Sequence, residues 1–296
     1  MVSLKQLKYF DAVARSGHFG KAAEHCAVTQ PALSMQVQEL ERTLGIQLLE
    51  RGRNGVMLTE GGKEIAQRAA RVLADVRDIV DVARRQGNVL SGPLGLGVIP
   101  SVAPYILPQL LPMIRDTFPD LDLHIRETQT QTLVNELADG QLDLLLLALP
   151  VEHPDIETVR LFDDRFLLAM ATSHRMSNRA KATPDLLEDD RLLLLEEGHC
   201  MRDQALAFCN LRRIENINTF GASSLSTLVQ MVAHGLGMTL LPELAVPLES
   251  RRGDIHLMRF ADPEPQRVIG LAWRRSSPRK RHFAELGQMI SAAAAR

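Results

Sequence analysis

One stretch constrains this chain more than any other. From Thr59-Glu60 to about Val89 no proline interrupts, and Ile65, Ala69, Val72, Val76, Ile79 and Ala83 recur at alternating spacings of four and three. That is a heptad seam on one long helix. A lone helix of this kind buries little, so the pattern predicts a partner, most simply its own copy in a dimer. Ser91-Gly92-Pro93 ends it and marks the strongest domain boundary in the chain.

Upstream of the seam the pattern is helical. Leu4, Leu7, Phe10, Val13 and Ala14 repeat at helical spacing up to Ser16-Gly17, and further helices are predicted over 20–26 and 31–44. Residues 48–58 read as a small hairpin with Asn54-Gly55 at its tip. Residues 1–90 hold 13 Lys and Arg against 10 Asp and Glu, a basic head on a chain whose net charge is −2. That asymmetry is compatible with nucleic-acid binding.

Downstream, β-like runs at 94–99, 121–125, 142–149, 165–171 and 192–195 alternate with helical stretches such as 103–117 and 133–137. The alternation predicts βαβ units and a parallel sheet, arranged as two open α/β lobes. The expected division is 1–58 for a winged helix-turn-helix, 59–90 for the linker helix and 91–296 for a two-lobed α/β domain. Its first lobe takes 91–163 with 268–296, its second 164–267.

With 296 residues, 45% hydrophobic and 24% charged, the chain is long enough for several cores and is not a disordered polymer. No apolar run approaches the roughly 20 residues of a membrane helix, and the amphipathic start lacks a signal-peptide core, so a cytoplasmic location is expected. Three cysteines exclude a disulfide-stapled scaffold.

The segment GKAAEHCAVTQPALSMQVQELE at 20–41 carries the first functional pattern. Ala22-Ala23 permit close helix approach, Val28 can plug a turn, Thr29 can cap a helix, and Pro31 suits its first turn. Leu33, Val37 and Leu40 share one face, while Pro31, Ser34, Met35 and Gln38 lie on the other. A helix with one buried face and short polar groups opposite suits major-groove reading, and equally describes an ordinary surface helix. Arg51 and Arg53 are placed to meet phosphate or a minor groove. The run AAEHCAVTQPALSMQVQELERTLGIQLLERGRNGVMLTEGG resembles the winged helix-turn-helix of LysR-type transcriptional regulators. The resemblance extends over the whole chain. It implies a dimerisation helix, a periplasmic-binding-protein-like regulatory domain, promoter DNA as partner, and DNA contacts from Thr29, Gln30, Ser34, Gln38, Arg51 and Arg53. Many relatives carry arginine where this chain has Met35.

Cys200 and Cys209 lie in GHCMRDQALAFC. His199 and Arg202 flank Cys200, cations favour the reactive thiolate, and a helix starting nearby adds its dipole. On local chemistry alone the pair reads first as inert packing, as Cys26 does. If the segment were one helix, nine steps would put the two Cα atoms about 13.5 Å apart on opposite faces. A disulfide needs them within about 4.4–6.8 Å, so the bond would require unwinding.

The segment LLLLEEGHCMRDQALAFC, together with GVIPSVAPYILPQLLPMI at 97–114 and PEPQRVIGLAWR at 263–274, resembles the peroxide-sensing branch of the LysR family. The resemblance implies that hydrogen peroxide oxidises Cys200 to a sulfenic acid, which Cys209 resolves as a disulfide. It also implies a peroxide pocket of Ser101, Thr130, His199 and Arg267. Ser101 replaces the more usual threonine, keeping the hydroxyl without the methyl that fixes its rotamer. Hydroxyls that both donate and accept, with an arginine for the departing hydroxide, suit a small uncharged oxidant.

The expected protein is therefore a DNA-binding, peroxide-switched activator, not an enzyme, with no cofactor and no metal site. Its expected partners are promoter DNA and further copies of itself, as a dimer and, from the resemblance, a tetramer. RNA polymerase is a possible further partner, and a membrane is not expected. Two alternatives stay open at the level of sequence: a LysR-type regulator with a small effector between its lobes, and a thiol peroxidase that would leave the N-terminal domain without a purpose.

Overall fold

In the N-terminal unit, Ser3 and Gln6 cap each other at the start of α1 (Leu4–Ser16), which ends on left-handed Gly17. α2 (Phe19–His25) is capped by His18, whose Nδ1 accepts from the amides of Gly20 and Lys21. α3 (Gln30–Leu44) buries Leu33, Val37 and Leu40. These side chains join Phe10, Val13, Ala22, Ala23 and Leu48 in one core. Strands β1 (Leu49–Gly52) and β2 (Gly55–Leu58) form the wing. A computed structural model describes residues 1–52, 55–84, 90–174, 181–183, 191–211, 217–251 and 254–295.

The wing register pairs Gly52 with Gly55, so its two connecting residues are Arg53 and Asn54, one position earlier than the Asn54-Gly55 tip expected from sequence. Those two residues lie outside the described set. α4 (Glu60–Arg84) opens at Thr59, whose Oγ1 accepts from the Gly62 amide at 2.9 Å. Gly62 admits no side chain, since a Cβ there would sit 2.0 Å from the Leu48 carbonyl oxygen. Along the heptad seam, Ile65 and Ala69 pack on the N-terminal core. Further on, Val72 and Ile79 are exposed, Ile79 at 67%.

The second unit begins near residue 89. Its elements follow in the order β3 (Gly92–Val98), α5 (Ala103–Thr117), β4 (Leu121–Glu127), α6 (Thr130–Ala138) and β5 (Leu144–Leu149). Next come β6 (Ile156–Ala171), β7 (Leu192–Leu195), α7 (Cys200–Leu211), β8 (Ile217–Ala222), α8 (Leu225–Ala233) and β9 (Thr239–Pro242). A 3-10 turn (Glu243–Ala245), α9 (Val246–Glu249), β10 (Ile255–Arg259), β11 (Gln266–Arg274) and α10 (Lys280–Ala294) complete it.

The main sheet is mixed rather than parallel, a correction to the sequence reading. β3 pairs in parallel with β4 and β5, whereas β11 lies antiparallel between β5 and β6, and β6 is antiparallel to β9 and β10. β7 and β8 form a separate parallel pair. β6 begins at Ile156, nine residues before the expected start; charged residues interrupt the apolar pattern of its first half, and pairing with β11 makes it a strand. That half pairs with β11 through Arg165, and the second half pairs with β9 and β10 from Phe166. Two cores result. One is built on β3, β5, α5 and α10, and the other on β7, β9, α8 and the end of β6. Tyr105 of α5 crosses between them, sitting in the second core.

Candidate functional site

β3 has parallel neighbours on both sides, so the chain leaves it in one direction toward β4 and returns on the other side as β5. Open α/β sheets place their ligand sites beyond the carboxyl ends of strands at such a reversal. The loop after β3 carries Ser101, and Thr130 opens the helix that follows β4. Val98 and Glu127 are register partners, and each hydroxyl residue follows its partner by three positions.

Ser101 is 3% exposed and Arg267, on β11, 2% exposed. The guanidinium clamps the serine twice. Nη1 donates to Ser101 Oγ at 2.7 Å and Nη2 to its carbonyl oxygen at 3.0 Å. Nε donates to Asp164 Oδ2 at 2.9 Å, with Nη2 at the same distance from that oxygen. The other carboxylate oxygen accepts the Leu244 amide at 3.0 Å, and the Phe166 ring lies 5.8 Å from the guanidinium carbon. Of five donors on the arginine, one N–H on Nη1 stays without a partner among the described residues.

Thr130 sits at the start of α6, and its buried Oγ1 likewise has no hydrogen-bond partner in the described protein. Beside it, Gln129 donates through Nε2 to the carbonyl oxygen of Glu197 at 3.2 Å. This bond ties the β4–α6 loop to the segment after β7. Gly198 follows with φ +88°, and a Cβ there would fall 2.5 Å from Gln129 Oε1. A side chain there would be strained by the backbone and would displace the Gln129 amide.

Cys200 is a half-buried free thiol and the first residue of α7, packed against the core that contains Ile99, Val102 and Ala103. His199 is buried, and its carbonyl oxygen accepts the Arg202 amide at 2.9 Å. Arg202 pairs with Glu197 at 3.3 Å, so the cation expected beside the thiol is already engaged. Cys209 lies nine residues on in the same helix, while its side chain is outside the described set.

On the N-terminal unit, Thr29, Gln30, Pro31, Met35 and Gln38 are exposed and Ser34 is half-buried, opposite the Leu33, Val37 and Leu40 face. Thr29 holds the N-cap backbone conformation of α3 but makes no side-chain cap bond, which leaves its hydroxyl on the surface. Arg51 lies on β1, its side chain outside the described set as is all of Arg53. Cys26 packs on this core, and burial pushes its thiol pKa up.

Residues 4–63 match the model for the bacterial regulatory helix-turn-helix protein, lysR family, and residues 87–295 that for the LysR substrate binding domain. The chain belongs to the LysR family. These are transcription regulators rather than enzymes, and the helix-turn-helix makes this LysR-family chain a DNA-binding protein. The DNA-binding transcriptional dual regulator OxyR of Escherichia coli K12 is 42% identical over 291 residues, covering 98% of this chain and 95% of the relative. A full-length OxyR cysteine-to-aspartate variant from Pseudomonas aeruginosa superposes with a TM-score of 0.85 at 38% identity, covering 98% and 95% of the two chains. A peroxide-bound OxyR cysteine-to-serine variant from Corynebacterium glutamicum gives 0.69 at 36% identity, covering 98% and 92%. This LysR-family chain is thus a homologue of the hydrogen peroxide-inducible genes activators, matched over 98% of its residues. Among its described residues no helix is long and apolar enough to cross a membrane.

Sequence reasoning missed two members of this LysR-family site, Asp164 and Gln129. Asp164 stood in a charged run, Asp163-Asp164-Arg165, with no local sign of a partner 103 positions away. Gln129 acts through a contact 68 positions away that no spacing rule reveals.

Proposed function

We propose that this chain is a peroxide-responsive activator in which Cys200 is the sensor and Cys209 the resolving thiol. The observation that supports it best is the open hydrogen-bonding capacity beyond β3 and β4. It comprises one Arg267 N–H, the proton of Ser101 and the partnerless Thr130 hydroxyl, the last two following register-paired strands. Hydrogen peroxide is small and neutral, with two donors and two acceptors, and fits such a set.

The Cys200 thiolate attacks one peroxide oxygen. An S–O bond forms, the O–O bond breaks, and the departing hydroxide takes a proton to become water. Arg267 and Ser101 stabilise that developing charge, and His199 lines the approach. The Cys209 sulfur then attacks Cys200, forming the S–S bond as the sulfenic hydroxyl leaves as water. Because α7 runs unbroken from Cys200 to Leu211, the second step requires the helix to unwind.

The winged helix-turn-helix, assigned to 1–58, reads promoter DNA through Thr29, Gln30, Ser34 and Gln38, with Arg51 and Arg53 on the backbone. The α4 seam, with Val72 and Ile79 exposed, pairs with a second copy, and two such dimers form a tetramer. Remodelling of α7 changes how the dimers pack and so where they grip the promoter, for RNA polymerase to read.

Intact mass after stoichiometric peroxide tests the chemistry. Loss of two hydrogens in the wild type, and none in Cys200→Ser, is expected. A Cys200→Ser protein that still activates a target promoter in response to peroxide overturns the assignment.

A further inference from the structure

Among the described residues, Arg267 is the one fully buried guanidinium at the proposed peroxide site, and such a cation would ordinarily draw in anions. The geometry around it works against that. Its side chain is 0% exposed and that of Asp164 is 2% exposed, so the two charges face each other at 2.9 Å with little water between. The neighbouring Asp163 is engaged by Arg160, and Arg202 by Glu197, which leaves Asp164 as the counter-charge to Arg267.

Asp164 is also itself held. One of its oxygens takes the Leu244 amide while the other takes Nε of the arginine. The carboxylate is thereby fixed between the 3-10 turn of the second lobe and the guanidinium. With Nε and Nη2 turned toward Asp164 and Ser101, the remaining N–H lies on Nη1, the nitrogen that already holds Ser101 Oγ.

We propose that Asp164 is a positioning and selectivity residue, which cancels the charge of Arg267 and leaves it a directed donor. The pocket then offers hydrogen bonds without net charge. Hydrogen peroxide, being neutral, loses nothing by this. An anionic oxidant, such as hypochlorite, peroxynitrite or the hydroperoxide of an acidic molecule, gains no electrostatic advantage from the arginine. Selectivity for the uncharged oxidant follows from a carboxylate that need not touch it. This inference rests on the reading of Cys200 as the sensor, but its charge component is tested without peroxide.

Iodoacetamide and iodoacetate alkylate the same sulfur and differ in charge, so the change in their rate ratio at Cys200 between variants reads the local potential. The full-length protein is used, in a Cys26→Ser and Cys209→Ser background. Asp164→Asn should raise the iodoacetate-to-iodoacetamide ratio about tenfold, since it leaves the arginine charge uncompensated, while peroxide oxidation slows as the guanidinium loses its anchor. A merely structural role would change both reagents together and leave the ratio fixed, which would overturn the proposal.

Removing one member of a buried pair can prevent folding. The double variant Asp164→Asn/Arg267→Gln removes both charges and keeps hydrogen-bonding groups. Its ratio should stay within about twofold of the parent, as a cancelled pair requires. A fall of about tenfold would show an arginine charge that was never compensated, and would overturn the proposal as well. If peroxide fails to oxidise Cys200 in the parent protein, the sensor reading falls, and the alkylation ratios still decide the charge assignment.

Discussion

The side-chain amide of Gln129 donates to the main-chain oxygen of Glu197 at 3.2 Å, joining the start of α6 to the segment that delivers Cys200. The same side chain fills the space in front of Gly198. Gly198→Ala meets both the positive φ and the Gln129 amide, and should destabilise the protein by about 1–3 kcal/mol in thermal unfolding. Adding Gln129→Ala removes the collision but not the backbone strain, so the double variant should recover part of that loss. Simple additivity of the two would show that the contact is absent.

Oxidation should be visible as exchange. Deuterium uptake across about 200–220 is expected to rise when wild-type protein is treated with peroxide, because α7 must open for the disulfide. Cys209→Ser should leave α7 protected and Cys200 at the sulfenic or over-oxidised stage. An oxidised wild type with uptake equal to the reduced form would rule out helix opening.

The exposed face of α3 makes a separate claim. Gln30→Ala and Ser34→Ala should each weaken specific DNA binding by about 1–3 kcal/mol if they reach base edges. Arg53→Ala should weaken binding to every sequence alike and flatten the salt dependence. Titrations at two salt concentrations, on operator and random duplex, separate the two effects.

Tyr105 donates its hydroxyl to Glu249 at 2.8 Å, where Ser226 also donates, so α5 is latched to α8 and α9. Tyr105→Phe should cost about 1–3 kcal/mol at neutral pH. Burial, and then the Glu249 charge, push the phenol pKa up. An acid whose folded pKa is raised stabilises fully below its unfolded value, near 10, and loses that contribution as pH climbs past it. The stability difference between wild type and Tyr105→Phe should therefore shrink above about pH 10, as urea titrations at stepped pH would reveal.

Much of this was legible in the residues. Leu33, Val37 and Leu40 defined the buried face of α3, and α5 spans the same 103–117 that its apolar spacing indicated. Local signals sufficed there because helix periodicity, caps and Pro-Gly punctuation act over a few residues. The first half of β6 escaped notice because its sheet partners, not its own composition, make it a strand. Asp164 was missed for a related reason. A carboxylate that serves a residue 103 positions away leaves no periodic trace, and only the closed fold brings it to Arg267. The resemblance supplied Arg267, Thr130 and His199, which spacing alone would not have singled out.

The unbroken α7 has an electrochemical consequence. Where the disulfide proposed above forms, it must be held against the tendency of residues 200–211 to wind back into a helix. That recoil works in favour of any reductant. Each roughly 1.4 kcal/mol of helix sacrificed raises the potential of the couple by about 30 mV. The length of helix that melts thus sets the ease with which the signal is erased, and longer or better-capped variants of α7 would forget an oxidative episode sooner.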